Sequence, residues 1–181
     1  MTQRLFVLTG GPGSGKTTLL AALAEAGLAT MPEAGRALIR DQIRIGGPGW
    51  HGQDRRLFAE LMLGWEMRSW HAAQEVEGPV FFDRGIPDVI GYLSLYEGAV
   101  PAHVHRAAQV FRYHPTVLLA PPWAAIFDQD EDRGQDFDEA VATAQAMEQA
   151  YAGAGYDLLP LPLAPVADRV DFVLDFLDRS V

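Results

Sequence analysis

The sequence predicts an α/β fold, a five-stranded parallel sheet in a three-layer αβα arrangement, on three observations. Short apolar runs recur near residues 4–9, 28–31, 79–83, 115–120 and 156–161. Stretches with helical spacing separate them. The first run passes through a glycine-rich turn directly into a helix. Strands that alternate with helices require crossover connections, which set the strands parallel and cover both faces of the sheet. A length of 181 residues suits one domain spanning residues 1–181.

Leu5, Phe6, Val7 and Leu8 read as the first, buried strand. Gly10-Gly11-Pro12-Gly13-Ser14-Gly15-Lys16-Thr17 follows, a complete G-x-x-x-x-G-K-[ST] phosphate-binding loop, and a helix continues to Ala26. Glycines there permit dihedrals and close approach that a Cβ would block, so N–H groups converge on phosphate oxygens. The helix N-terminus adds its unsatisfied donors and positive dipole end. Lys16 is the one lysine among fourteen Lys and Arg residues. Its compact ammonium suits a place between phosphates that a guanidinium fork would crowd. In this reading Gly11, Gly13, Ser14, Gly15, Lys16, Thr17 and Thr18 hold a nucleoside triphosphate. Lys16 reaches the outer phosphates, the Thr17 hydroxyl ligates Mg²⁺ and Thr18 bonds an inner phosphate.

Gly27 stops the first helix and Pro32 closes the second strand. Glu33 then stands at the sheet edge, either as a base or substrate ligand or as an acid favoured by the dipole of the next helix. Arg36, Arg40 and Arg44 recur every four residues along one helix face, a stripe suited to an anionic substrate, with Arg36 nearest the chemistry. Gly46-Gly47-Pro48-Gly49 lacks the lysine and preceding strand of a phosphate loop and reads as a mobile linker over 45–52. Residues 53–76 form the longest helix, with Leu57, Leu61, Met62, Trp65 and Ala72 as its core stripe.

The third strand ends in Asp83-Arg84-Gly85. A carboxylate at that edge lies beside the phosphate loop, where Asp83 holds Mg²⁺ or orients its water; its plainer role is a helix cap. Arg84 is placed to reach a transferring phosphate or a substrate anion. Asp88 caps the following helix or lines the substrate pocket. Whether Glu33 or Asp83 is the general base stays open. After the fourth strand come Pro121-Pro122-Trp123 and, over 128–139, seven acids around Arg133. The 123–136 segment is read either as a lid that closes Arg133 onto the nucleotide or as a solvated loop. The last helix places Val166, Val170, Val173, Leu174 and Leu177 against the sheet. His103 and His105, two apart, point to different helix faces, which argues against a metal site.

Composition bounds the partners. A net charge of −10 argues against a sequence-independent nucleic-acid surface. Zero cysteines exclude disulfides and thiolate chemistry. No apolar run is long enough to span a bilayer, and the expectation is a cytoplasmic protein.

Together these motifs resemble the NadR-like AAA-type ATPase/kinase domains, small P-loop proteins close to nucleoside and nucleotide kinases. The resemblance rests on residues 9–18, Pro32-Glu33-Ala34-Gly35-Arg36, Phe82-Asp83-Arg84-Gly85-Ile86-Pro87-Asp88, Pro121-Pro122-Trp123 and Asp132-Arg133-Gly134-Gln135-Asp136-Phe137. It implies that Glu33 is a base or substrate ligand, that Asp83 and Arg84 serve Mg²⁺ and phosphates, that Arg133 is a lid arginine, and that the segment from Pro162 to Val166 borders the base. The expected function is a Mg²⁺-dependent, ATP-using kinase that acts on a hydroxyl of a small, nucleoside-like metabolite. The alternative is a nucleotide-dependent binding module or slow ATPase read by a partner.

Overall fold

The computed structural model describes residues 4–127 and 136–180. The five strands are β1 (Leu5–Gly10), β2 (Ala29–Met31), β3 (Val80–Asp83), β4 (Thr116–Ala120) and β5 (Asp157–Pro160), and every pairing is parallel in the order β2-β3-β1-β4-β5. The described helices are α1 (Lys16–Glu25), α2 (Ala34–Ile45), α3 (Arg55–Gln74), α4 (Ile86–Tyr96), α5 (Ala102–Val110), α6 (Phe137–Gly153) and α7 (Val166–Ser180). The predicted α/β architecture is therefore present, with strand boundaries within a residue or two of the sequence reading.

The alternation of side chains along a strand builds two cores. Leu5, Val7, Val80 and Phe82 pack on one face against Ile86, Leu93 and Tyr151 from α4 and α6. Phe6, Leu8, Phe81 and Leu118 pack on the other against Leu19 and Leu23 of α1 and Val173 and Leu177 of α7. Each such side chain, fully buried, contributes about 1.5–3 kcal/mol. β2 and β5 are short edge strands only partly covered, which limits the unpaired backbone they offer to other chains.

Two helical faces differ from expectation. In α3 the core face carries Phe58, Ala59, Leu63, Glu66, Ser69 and Ala73; Leu57 and Ala72 are exposed, and Leu61, Met62 and Trp65 are half-buried. The cause is Glu66, a carboxylate that an apolar-pattern reading assigns to solvent. In α7 Val166 is exposed at the first turn, and buried Arg169 takes its place on the inward face. The glycine segment before α3 makes hydrogen bonds of its own. Gly49 donates its N–H to Gln42 Oε1 at 3.0 Å, and Asp54 donates to the carbonyls of Pro48 and Trp50. Among the described residues, no helix is long and apolar enough to cross a membrane.

Candidate functional site

The carboxyl edge of β3, β1 and β4 carries the site. β1 ends at Gly10, whose φ of 135° and close approach to the Ala120 carbonyl on β4 leave no room for a Cβ. Gly13, at φ 68°, lies so near Phe127 that a Cβ would sit 2.6 Å from its ring. The chain is thus threaded tightly before α1 begins at Lys16, after an N-cap, Gly15, that offers no side chain to the first N–H groups. Ser14 donates to the Gly11 carbonyl at 2.8 Å, and the Lys16 ammonium donates to that carbonyl at 2.6 Å and to Ser14 Oγ at 3.2 Å. A cleft of about 590 Å³ opens over this loop, bounded also by Thr17, Thr18, Arg36, Trp123 and the 164–166 segment.

Parallel pairing sets Leu8 of β1 beside Asp83 of β3. Asp83, only 4% exposed, accepts a hydrogen bond from the Thr17 hydroxyl at 3.2 Å, while its Oδ1 is buried without a partner among the described residues. Burial pushes the carboxyl up from its usual range, against the opposing charge of Lys16.

Arg84 is the one non-glycine residue at positive φ among those described, at 75°. Such a conformation costs about 1–3 kcal/mol, and the bonds it permits hold it. Its backbone N–H donates to the Leu8 carbonyl at 2.9 Å. Its guanidinium donates to Glu33 Oε1 at 3.3 Å, to the Gly10 carbonyl at 3.0 Å and to Asp88 Oδ1 at 3.0 Å. Burial works against its charge, but the carboxylates of Glu33, Asp88 and Asp83 outweigh that cost and raise its pKa. Glu33 Oε2 also lies 3.6 Å from Arg36.

Asp88 sits one turn into α4 and fixes Arg84. It accepts from Thr9 Oγ1 at 2.7 Å, from Arg84, from the Gly85 N–H at 2.9 Å and from the Tyr151 hydroxyl at 2.6 Å. Asp88 thus closes the capping box of α4 and also lines an adjoining cavity. Replacing Tyr151 by Phe removes one charge-assisted bond from this clamp and is expected to cost about 1.5–3 kcal/mol. Urea unfolding would register a lower midpoint at constant slope; an unmoved midpoint would show that the hydroxyl holds nothing.

Glu33 and Arg84 also border a second cavity, of about 220 Å³, between α2, α3, α4 and α6. Its wall includes Phe58, Tyr92, Tyr96 and Met147, with Glu66 and Thr143 among its polar groups. The two spaces thus meet at a Glu–Arg pair. Of the arginine stripe, Arg36 borders the nucleotide-sized cleft. Arg40 and Arg44 are exposed and line neither space, because each further turn of α2 carries them about 5.4 Å away from the sheet edge. Arg133 lies outside the described residues. His103 faces Glu60 at 2.8 Å, and among the described residues no group of three or more His, Cys, Asp and Glu side chains could hold a metal.

Three site-bordering residues escaped the sequence reading. Glu66 lines the second cavity from the core face of α3. Tyr151 completes the Asp88 clamp. Arg169 of α7 donates to the Ser14 carbonyl and the Pro162 carbonyl, both at 2.9 Å, and lies 4.9 Å from the Trp123 ring centre, so it pins the phosphate loop to the far side of the cleft.

A five-stranded parallel sheet with a glycine-lysine loop at the carboxyl end of its central strand defines a P-loop NTPase of the small, nucleotide-kinase-like kind. The AAA domain family matches residues 5–169, and the chain belongs to that family. Among solved structures the chain is similar to deoxyadenosine kinase from M. mycoides with the products dCMP and dCDP bound. That likeness has a TM-score of 0.65 at 12% identity, over 97% of this chain and 99% of the other. It is also similar to the same kinase with dATP bound, at TM-score 0.59 and 11% identity over 96% and 99% of the two chains. Thymidylate kinase from Ehrlichia chaffeensis follows at TM-score 0.62 and 15% identity, over 96% and 97%. At these identities the likeness is one of fold. No curated protein matches the sequence.

Proposed function

We propose that the chain is a phosphotransferase that moves the γ-phosphoryl group of ATP to a hydroxyl of a small, nucleoside-like metabolite. The observation that carries this reading is the pair of cavities sharing Glu33 and Arg84 as their common wall. A pure nucleotide switch needs the first cavity and has no use for the second.

In this reading the loop from Gly11 to Thr18 holds the triphosphate, with Gly11, Gly13, Ser14 and Gly15 supplying backbone donors, Thr18 bonding an inner phosphate, and Lys16 turning from Gly11 onto the outer phosphates. Thr17 and Asp83 would hold Mg²⁺. The orphaned Oδ1 of Asp83 beside the Thr17 hydroxyl fits a hard cation that takes few protein ligands and keeps phosphate oxygens and water. When bound, the ion neutralises charge developing on the phosphate oxygens. Glu33 takes the proton of the acceptor hydroxyl as that oxygen bonds to the γ-phosphorus. The bond from phosphorus to the bridging oxygen breaks, and its electron pair stays on the departing diphosphate. Arg84, held by Asp88, orients Glu33 and places positive charge between the two spaces. Arg36 faces the anionic end of the cleft.

The test is ADP release with Mg²⁺, measured with and without a panel of nucleosides and other hydroxyl compounds. Acceptor-stimulated release supports the transferase; slow release indifferent to every acceptor would favour a slow ATPase read by a partner. Replacing Asp83 by Asn should lower the Mg²⁺-dependent rate by a factor on the order of 10² or more while the protein still folds. A rate kept at the wild-type level would move the metal role to another residue.

A further inference from the structure

We propose that Glu66, Tyr92 and Thr143 form the set that reads the acceptor, and that this acceptor is an uncharged, ring-bearing molecule and not a phosphorylated one. The inference rests on the phosphotransferase reading and sharpens it. All three side chains line the second cavity. Glu66 is 4% exposed and presents its carboxyl on the core face of α3. The Tyr92 hydroxyl and Thr143 Oγ1 are buried, again with no hydrogen-bond partner among the described residues. Two buried hydroxyls left open beside a buried carboxyl, on the wall of one cavity, are unfavourable without a ligand that pairs them.

The rest of the wall settles the kind of ligand. Phe58 and Tyr92 meet edge to face with ring centres 5.6 Å apart, and Tyr96 lies 5.0 Å beyond Tyr92, which makes an aromatic surface for a ring. The charges facing Glu66 are mostly acidic: Asp88, Asp83 and Glu33 against Arg84, with the buried Tyr113 hydroxyl nearby. Burial first, and then those carboxylates, push the Glu66 carboxyl well above its usual range. Arg84 is already engaged by Glu33, the Gly10 carbonyl and Asp88. Arg55, which also lines the cavity, is exposed and lies 5.2 Å from the Tyr96 ring centre. Among the described residues the guanidinium beside the buried carboxylates is thus already committed, and a phosphate placed there would meet mainly acidic groups.

The test is calorimetric titration of the whole protein, loaded with Mg²⁺ and a non-hydrolysable ATP analogue. The probes are deoxyadenosine and thymidine, each against its own 5′-monophosphate. At least one nucleoside should bind about tenfold or more tightly than its monophosphate. Thr143→Val and Tyr92→Phe should each weaken that binding by up to about tenfold, whereas Glu66→Gln, which keeps a hydrogen-bonding group of the same shape, should weaken it less than Glu66→Leu. Tighter binding of both monophosphates would overturn the inference, as would nucleoside binding indifferent to all these changes or no binding by either nucleoside. Should Glu66→Leu not fold, the two hydroxyl deletions and Glu66→Gln decide the matter. ATP titrated alone reads the other cleft separately: its failure to bind sinks the phosphotransferase reading, while ATP binding with monophosphates preferred sinks the acceptor assignment alone.

Discussion

Lys16→Ala is expected to leave a folded protein with nucleotide turnover reduced by roughly 10²–10³, the loss typical when one preorganised donor to developing charge is removed. Lys16 is 6% exposed, and its ammonium donates within its own loop to the Gly11 carbonyl and Ser14 Oγ. Those bonds hold the side chain close to its proposed place on the outer phosphates, so little reorganisation is needed when a nucleotide arrives. Deleting it leaves the Gly11 carbonyl still paired with the Ser14 hydroxyl, and the cost to folding should be about 1 kcal/mol, near 2–4 °C in melting temperature. The charge matters beyond its own contacts. Lys16 is the main influence that opposes the upward shift of the Asp83 carboxyl, so its loss also weakens the proposed metal ligand. Lys16→Arg should recover little of the rate, because the turn is closed around Gly13 by Phe127 and a planar fork has no room to replace a point charge. Turnover and ATP affinity that survive Lys16→Ala undiminished would remove the loop from the function altogether.

The distance between what the chain's pattern discloses and what its packing discloses follows from what each kind of residue signals. The strands are legible because β3, β1 and β4 are covered on both faces, and such strands must be short apolar runs punctuated by glycine and proline. The phosphate loop is legible because its glycines are demanded by backbone geometry. Glu33, Asp83 and Arg84 are legible because parallel strands deliver their carboxyl-end residues to one edge. The strand order is not, since periodicity carries no information about which strands become neighbours. Glu66 is hidden for the opposite reason: hydrophobic patterning assigns every carboxylate to solvent, so a glutamate on the core face shifts the apparent stripe of α3 toward Leu57 and Ala72. Its detectable signal was the helical spacing of Phe58, Ala59, Leu63 and Ala73, which already includes position 66. Arg169 was masked likewise by the valines around it, and Tyr151 by an alanine-rich helix with a weak apolar face.

Glu33→Gln should lower the rate of transfer to an acceptor by about 10²–10⁴, with ATP affinity and folding nearly unchanged. Glu33 begins α2, yet its side chain caps nothing there; it turns to Arg84 at 3.3 Å and Arg36 at 3.6 Å, on the wall shared by both cavities. The amide keeps the shape and one accepting oxygen, so a role confined to orienting Arg84 would survive the change in good part. Proton acceptance would not. Asp83 is a poorer candidate for that step, because it lines neither space, faces Thr17 and has its second oxygen buried. The two carboxylates are therefore separable by what each loss changes. Glu33→Gln should depress kcat in the presence of acceptor and leave the Mg²⁺ requirement unaltered, whereas Asp83→Asn should shift the Mg²⁺ concentration needed for half-maximal rate. Were Glu33→Gln to keep its acceptor-dependent rate while Asp83→Asn lost proton transfer and metal dependence together, the base would be Asp83, and the shared wall of the two cavities would serve binding instead of chemistry.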